Sequence, residues 1–131
     1  MAFEVPIFLL YVCSGMVLFL MMLMAASPEG TWKGESLCTE SASAACSNEQ
    51  VVYYIRAVDA TSMSVRADKI VAGKAITMGE GPWKWDAAKS ELRWDMPRQV
   101  WVLKVGDREI AGTLTLADGS VVRRMKLVRG E

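Results

Sequence analysis

Hydrophobic and polar residues alternate along most of this chain, but its beginning is uniformly apolar. Residues 5–26, called here the leader, form a run of 22 residues without a charge. As a helix rising about 1.5 Å per residue, the leader would be roughly 33 Å long, which matches a bilayer core of about 30 Å. The pattern therefore predicts one N-terminal transmembrane helix within residues 1–28 and a separate domain over residues 29–131.

A removable export signal is the alternative interpretation of the leader. No Lys or Arg precedes Lys33, and the run is longer than the roughly 7 to 15 residues of a signal core. The nearest small-x-small frame, Ala25-Ala26-Ser27, is followed directly by Pro28. These features favour a retained, uncleaved anchor. Flexible methionines suit packing against another apolar surface, and four of them mark the face predicted to meet a partner helix: Met16, Met21, Met22 and Met24.

The rest of the chain shows the period-two alternation of antiparallel β-strands. Val51, Tyr53 and Ile55 share one face of a strand, and later runs repeat the pattern up to the last strand, over residues 121–129. Turns are expected over residues 68–74 and at Asp118-Gly119, and a break over residues 79–82. The prediction is an all-β domain of eight or nine strands, either a small antiparallel up-and-down barrel or a flattened sandwich.

Composition excludes several classes of function. All 15 Lys and Arg residues and 14 of the 15 Asp and Glu residues follow the leader, a net charge of +1, so no nucleic-acid partner is expected. Histidine is absent, which removes the commonest general base and metal ligand. Carboxylates near the Trp-rich turns, Glu80, Asp86 and Asp95, are expected to be solvated rather than paired for acid–base chemistry. We therefore predict a protein that is not an enzyme and holds no metal or other cofactor.

Two cysteines flank a loop rich in Ser, Ala and Thr. Cys38 and Cys46 are separated by seven residues, and after an export-like leader their simplest fate is a disulfide. A metal pair is the alternative, but no His could complete its ligands. Because disulfides persist outside the cytoplasm, we expect a single-pass membrane protein whose β domain lies on the periplasmic, extracytoplasmic side.

Aromatic residues are the most distinctive feature of the β domain. They form either the packed core of a small barrel or the wall of an apolar pocket, with Tyr53 and Arg123 as polar groups. The candidate residues are Trp32, Tyr53, Trp83, Trp85, Trp94 and Trp101.

The triplet Gly30-Thr31-Trp32 resembles the lipocalin-like pattern in which a Trp on the first strand is covered by an Arg from the last strand. Arg123 shares a face with Met125 and Leu127, so it is predicted to stack on Trp32 and close the barrel. The same triplet, the Cys pair, Val52-Tyr53 and the ending Val121-Val122-Arg123-Arg124 are similar to small exported bacterial proteins of unassigned function. The resemblance implies a β-barrel and no particular activity.

Two functions remain as hypotheses. The first is a non-catalytic, single-span accessory subunit or interaction module, whose partners are membrane lipid and other subunits of a membrane complex bound through the leader. The second is a lipocalin-like binder of a small apolar ligand in the cell envelope. A mature protein beginning near Ser27 and behaving as a soluble monomer would contradict the first.

Overall fold

The computed structural model describes residues 27–130, which form a closed antiparallel barrel. Each strand pairs with the next one along the chain, and the last strand pairs back onto the first. This confirms the all-β prediction and selects the barrel over the sandwich. Over the described residues the strands are β1 (Gly30–Cys38), β2 (Glu49–Asp59), β3 (Ser62–Val71), β4 (Lys74–Asp86), β5 (Glu91–Asp95), β6 (Gln99–Val105), β7 (Glu109–Leu116) and β8 (Val121–Arg129).

Alternating side chains of these strands fill one end of the barrel. In a strand, successive side chains point to opposite faces, so every second residue of a closed sheet points inward. Burial follows that period: Val51, Tyr53 and Ile55 on β2 are buried, and so are Met125 and Leu127 on β8. The most completely buried core side chains include Trp32, Ile55, Val65, Leu92, Leu103, Ile110 and Leu127.

The two ends of the barrel differ. We call the end where β1 begins and β8 finishes the closed end, because Trp32 is fully buried there. The Trp32 Nε1–H donates to the Pro28 carbonyl oxygen at 2.9 Å, so residues 27–29 lie against the closed end. The opposite end, which carries the loop over residues 39–48, is called the open end.

Two of the predicted strand boundaries are wrong. Residues 68–71 belong to β3, because Ala72 and Gly73 alone make the turn, both with positive φ. Residues 79–82 do not break the chain: β4 runs through them with a bulge, since Ala67 faces Gly79 whereas Asp68 faces Thr77. The barrel therefore has eight strands and not nine over the described residues.

The predicted leader and its methionines, Met16, Met21, Met22 and Met24, lie outside the described residues. The predictions of a transmembrane anchor and of a partner face on it thus stay predictions. Residues 27–130 contain no helix long and apolar enough to cross a membrane.

Candidate ligand cavity at the open end

A cavity of about 440 Å³ enters the barrel from its open end. Its volume falls within the range of roughly 300 to 1,000 Å³ that is usual for small-molecule sites. The wall is mainly apolar, with a polar cluster on one side. Its lining residues are Ser36, Glu49, Val51, Tyr53, Val65, Ala67, Met78, Gly79, Glu80, Gly81, Pro82, Trp83, Trp94, Met96, Gln99, Trp101 and Arg123.

Four of the predicted aromatic residues meet in this wall: Tyr53, Trp83, Trp94 and Trp101. The Trp83 ring lies 5.7 Å from the Trp94 ring and 6.5 Å, edge to face, from the Tyr53 ring, measured between centroids. Such offset and edge-to-face arrangements are favourable aromatic contacts. Tyr53 and Trp83 line the cavity and are at the same time buried members of the core, against which Trp101 packs.

The other two predicted aromatic residues lie elsewhere. Trp32 plugs the closed end, where it belongs to the core. Trp85 is partly buried, packs against the core and lines a separate surface depression near the turn between β4 and β5. Neither lines the cavity.

A gap between β4 and β5 widens the entrance of the cavity. The pairing of these strands covers three residue pairs and ends at Lys84 and Arg93. Beyond that point β4 has a strand partner only on its β3 side, which is where a proline such as Pro82 is tolerated. Trp94 at this gap is 40% exposed, so part of the aromatic wall is in contact with solvent.

The polar cluster is built around an ion pair. The Arg123 Nη1 lies 3.0 Å from the Glu49 Oε1, and the two side chains are 16% and 17% exposed. Arg123 also donates to the Ser36 Oγ at 3.1 Å and to the Ser47 carbonyl oxygen at 3.0 Å. The other Glu49 oxygen lies 3.8 Å from the Lys69 Nζ. The positive charge of Arg123 is therefore neutralised by Glu49, and the side chain is held in one orientation.

Tyr53 brings a neutral hydroxyl to the same wall. Its hydroxyl donates to the Met125 Sδ at 3.4 Å, a weak hydrogen bond. Burial raises the pKa of Tyr53 well above its ordinary value, the nearby Glu49 carboxylate raises it further, and Arg123 partly offsets both. The phenol thus keeps its proton at any physiological pH.

The Cys38–Cys46 disulfide is formed, as the sequence predicts. It closes the loop beside the polar cluster: the Cys38 backbone N–H donates to the Asn48 Oδ1 at 2.8 Å, and Ser47 accepts a hydrogen bond from Arg123. Cys38 also lies opposite Arg123 in the register of β1 and β8. The disulfide therefore fixes the loop whose backbone orients Arg123.

The predicted stack of Arg123 on Trp32 is wrong. Arg129 covers Trp32 instead, with its guanidinium carbon 4.2 Å from the ring centroid. Both arginines lie on the inward face of β8, but the register pairs Trp32 with Arg129 and places Arg123 six residues away, at the open end. Arg129 also donates to the carbonyl oxygens of Glu29 at 2.6 Å and Ser27 at 2.9 Å.

Glu49 and Ser36 belong to the cavity wall, although neither is predicted from the sequence. A signal was available, since Glu49 is in phase with Val51 and Tyr53 on the inward face of β2. The three carboxylates near the Trp-rich turns are dispersed. Glu80 lines the cavity, Asp86 lies at the closed-end turn, where its Oδ1 accepts from the Lys89 N–H, and Asp95 forms an ion pair with Arg93. Residues 27–130 contain no group of three or more His, Cys, Asp or Glu side chains placed to hold a metal ion.

The eight-stranded barrel agrees with the fold that the lipocalin-like resemblance implies. An arginine of the last strand does cover the tryptophan of the first strand, although it is Arg129. The likeness extends to architecture and to no particular family. Comparison with protein-family models, with curated proteins and with solved structures found no match for this chain.

Proposed function

We propose that this protein is a non-catalytic carrier that binds a small, largely apolar molecule in its open-end cavity. The observation that carries the proposal is the cavity of about 440 Å³ with Trp83, Trp94 and Trp101 in its wall. A barrel of eight strands is just wide enough for its own side chains to fill it, and the closed end here is filled. Space left at the other end, lined by aromatic groups, is what a binder of apolar molecules requires.

The gap between β4 and β5 supports the same proposal. A ligand needs a path into the barrel, and the short pairing of these strands leaves one beside Met78 and Trp94, both about half-exposed. Exposed Met and Trp side chains at an entrance give an apolar, adaptable surface for an incoming molecule.

Tryptophan emission tests the proposal directly, because three of the cavity residues are tryptophans. The full chain is reconstituted in phosphatidylcholine liposomes, which have no tryptophan, and titrated with octan-1-ol at free concentrations set by equilibrium dialysis. We expect a saturable shift of the emission to shorter wavelength as the alcohol displaces water from Trp94 and Trp101. An unresponsive emission spectrum would contradict the proposal.

A pair of matched variants locates the site. Ala67 lines the cavity, so Ala67→Phe fills part of it and is expected to weaken octan-1-ol binding at least about tenfold. Ala111 is exposed on the outer face of β7, so Ala111→Phe adds the same ring outside the barrel and should leave binding unchanged. Equal effects of the two variants would place the binding elsewhere.

The proposed carrier is held at the cell membrane, on its outer side, by the leader. The chain enters the barrel at the closed end, where Arg129 binds the carbonyl oxygens of Ser27 and Glu29. An anchor ending at Ala26 would therefore hold the closed end near the bilayer and leave the cavity facing the aqueous compartment. The disulfide supports an oxidising compartment.

The second candidate function is an accessory subunit of a membrane complex, bound through the leader. The charge-free run of 22 residues, with its four methionines, favours it. Extraction in mild detergent followed by native mass measurement tests this function. A retained leader and a mass larger than one chain would support it, whereas a soluble monomer beginning near Ser27 would contradict it.

A further inference from the structure

We propose that Glu49 sets the charge selectivity of the cavity, which accepts uncharged apolar molecules such as alcohols and excludes carboxylates of the same length. The inference rests on the proposed function and adds the chemical class of the ligand. It follows from the way the polar cluster of Ser36, Glu49, Ser47 and Arg123 is connected.

Among the described residues that line the cavity, Arg123 is the only one with a positive charge. A carboxylate entering the cavity would seek this guanidinium, since charge-assisted hydrogen bonds to Arg are among the strongest available. However, Glu49 already lies 3.0 Å from its Nη1. A second carboxylate would have to sit beside the first, where like charges repel in a partly buried site.

Two more hydrogen bonds hold Arg123 in place beside its ion pair with Glu49. Its Nη1 donates to the Ser36 Oγ and its Nη2 donates to the Ser47 carbonyl oxygen. Ser36 belongs to β1 in the barrel wall, and Ser47 directly follows Cys46 of the disulfide. Moving Arg123 towards a ligand would break these hydrogen bonds as well as the ion pair with Glu49.

Tyr53 favours an alcohol for a related reason. Its hydroxyl donates its proton to the Met125 Sδ, so the group it offers to a ligand is the lone pairs of its oxygen. An alcohol can donate to that oxygen or to Glu49. A carboxylate only accepts hydrogen bonds and finds no free partner in Tyr53 or Glu49.

Glu49→Gln tests the proposal because it removes the charge and keeps the shape of the side chain. Arg123 and Lys69 would then both lack their acidic partner. Octan-1-ol and octanoate are compared on the full chain in phosphatidylcholine liposomes at neutral pH, by tryptophan emission at free concentrations set by dialysis. The wild type should bind octanoate at least about tenfold more weakly than octan-1-ol, and Glu49→Gln should reduce that ratio at least about tenfold.

Two further variants separate charge selectivity from a general disturbance. Glu109 forms an exposed ion pair with Lys126 at 3.0 Å near the closed end, so Glu109→Gln makes the same charge change away from the cavity and should leave the ratio unchanged. The double variant Glu49→Gln with Arg123→Gln should lose the octanoate binding that Glu49→Gln gains. A merely structural role of Glu49 would not produce this reversal.

The outcomes distinguish the two proposals. Binding of octan-1-ol with equal or tighter binding of octanoate to the wild type would overturn the charge selectivity and leave the carrier function standing. An unchanged ratio in a folded Glu49→Gln would also overturn it. Binding of neither compound would contradict the carrier function itself. Thermal unfolding shows whether each variant is folded. If Glu49→Gln does not fold, the ratio of octanoate to octan-1-ol binding in the wild type decides whether the cavity selects by charge.

Discussion

Two arginines of β8 point into opposite ends of the barrel. Arg129 lies over Trp32 at the closed end and binds three backbone carbonyl oxygens, those of Ser27, Glu29 and Asp107. Arg123 lies at the open end in the ion pair with Glu49. The first closes the barrel around its N-terminal segment, and the second belongs to the cavity.

Arg129→Ala should therefore lower the free energy of unfolding by about 1–3 kcal/mol, from the lost cation–π contact and hydrogen bonds. Urea unfolding followed by tryptophan emission measures it. Arg124 is exposed on the outer face of β8, and Arg124→Ala should change the same quantity by less than about 0.5 kcal/mol. If the two variants unfold alike, the closing role of Arg129 is wrong.

Tyr53 makes the free energy of unfolding depend on pH in the alkaline range. Its pKa in the folded protein is raised above the ordinary 10.0, so the folded state holds the phenol proton longer than the unfolded chain. This contribution to the free energy of unfolding is fully present below about pH 10 and is lost as the pH rises beyond it. Between about pH 9 and 11 the wild type should lose about 1 kcal/mol more than Tyr53→Phe in urea unfolding. Parallel losses in the two proteins would refute the assignment.

At the scale of elements, β1 and β8 approach very closely. A Cβ atom at Gly34 would overlap the carbonyl oxygen of Lys126 on β8, and backbone cannot give way as a flexible side chain can. Gly34 thus permits the contact between first and last strands that closes the barrel.

Gly34→Ala should cost at least about 2 kcal/mol of unfolding free energy or prevent folding. The matched control is Gly79→Ala on β4, where an added Cβ meets nothing within 4 Å and the cost should stay below about 1 kcal/mol. Thermal unfolding of both variants, with circular dichroism to check for β structure, gives the comparison. If Gly34→Ala leaves the free energy of unfolding unchanged, β1 and β8 approach each other less closely than described.

The loop between β1 and β2, which carries the disulfide, contacts Arg123 of the cavity wall. The double variant Cys38→Ser with Cys46→Ser should lower the free energy of unfolding by about 2–3 kcal/mol, because a short unfolded loop is no longer constrained. Because Ser47 then moves more freely, Arg123 loses a fixed acceptor, and selectivity against octanoate should weaken. Mass spectrometry with and without reductant establishes the bond first; free thiols at Cys38 and Cys46 would remove this prediction.

At the scale of the whole molecule, the barrel follows from period-two alternation and tight turns, which are local signals. The bounds of β3 and β4 could not be predicted in the same way. The turn at Ala72-Gly73 and the bulge at Met78 depend on how β4 pairs with β3, which is not a local signal. Arg129 covers Trp32 in place of Arg123 because of the register between β1 and β8, which no local pattern specifies.

The cavity was foreseen only as an alternative to a packed core. Alternation puts Trp32 and Trp101 equally inside, but it does not say how far along the axis each side chain lies. Trp32 sits at the closed end, and Trp101 lines the space at the open end. That space depends on where β4 and β5 stop pairing, a non-local property.

The open-end cavity is proposed to hold an apolar ligand. A crystal structure of the protein grown with 8-bromooctan-1-ol tests it most directly, since anomalous scattering locates the bromine. We predict a single strong peak inside the barrel, in contact with Trp83, Trp94 or Trp101, with the hydroxyl near Tyr53 and Glu49. A water-filled cavity, or bromine bound only on the outer surface, would contradict the account.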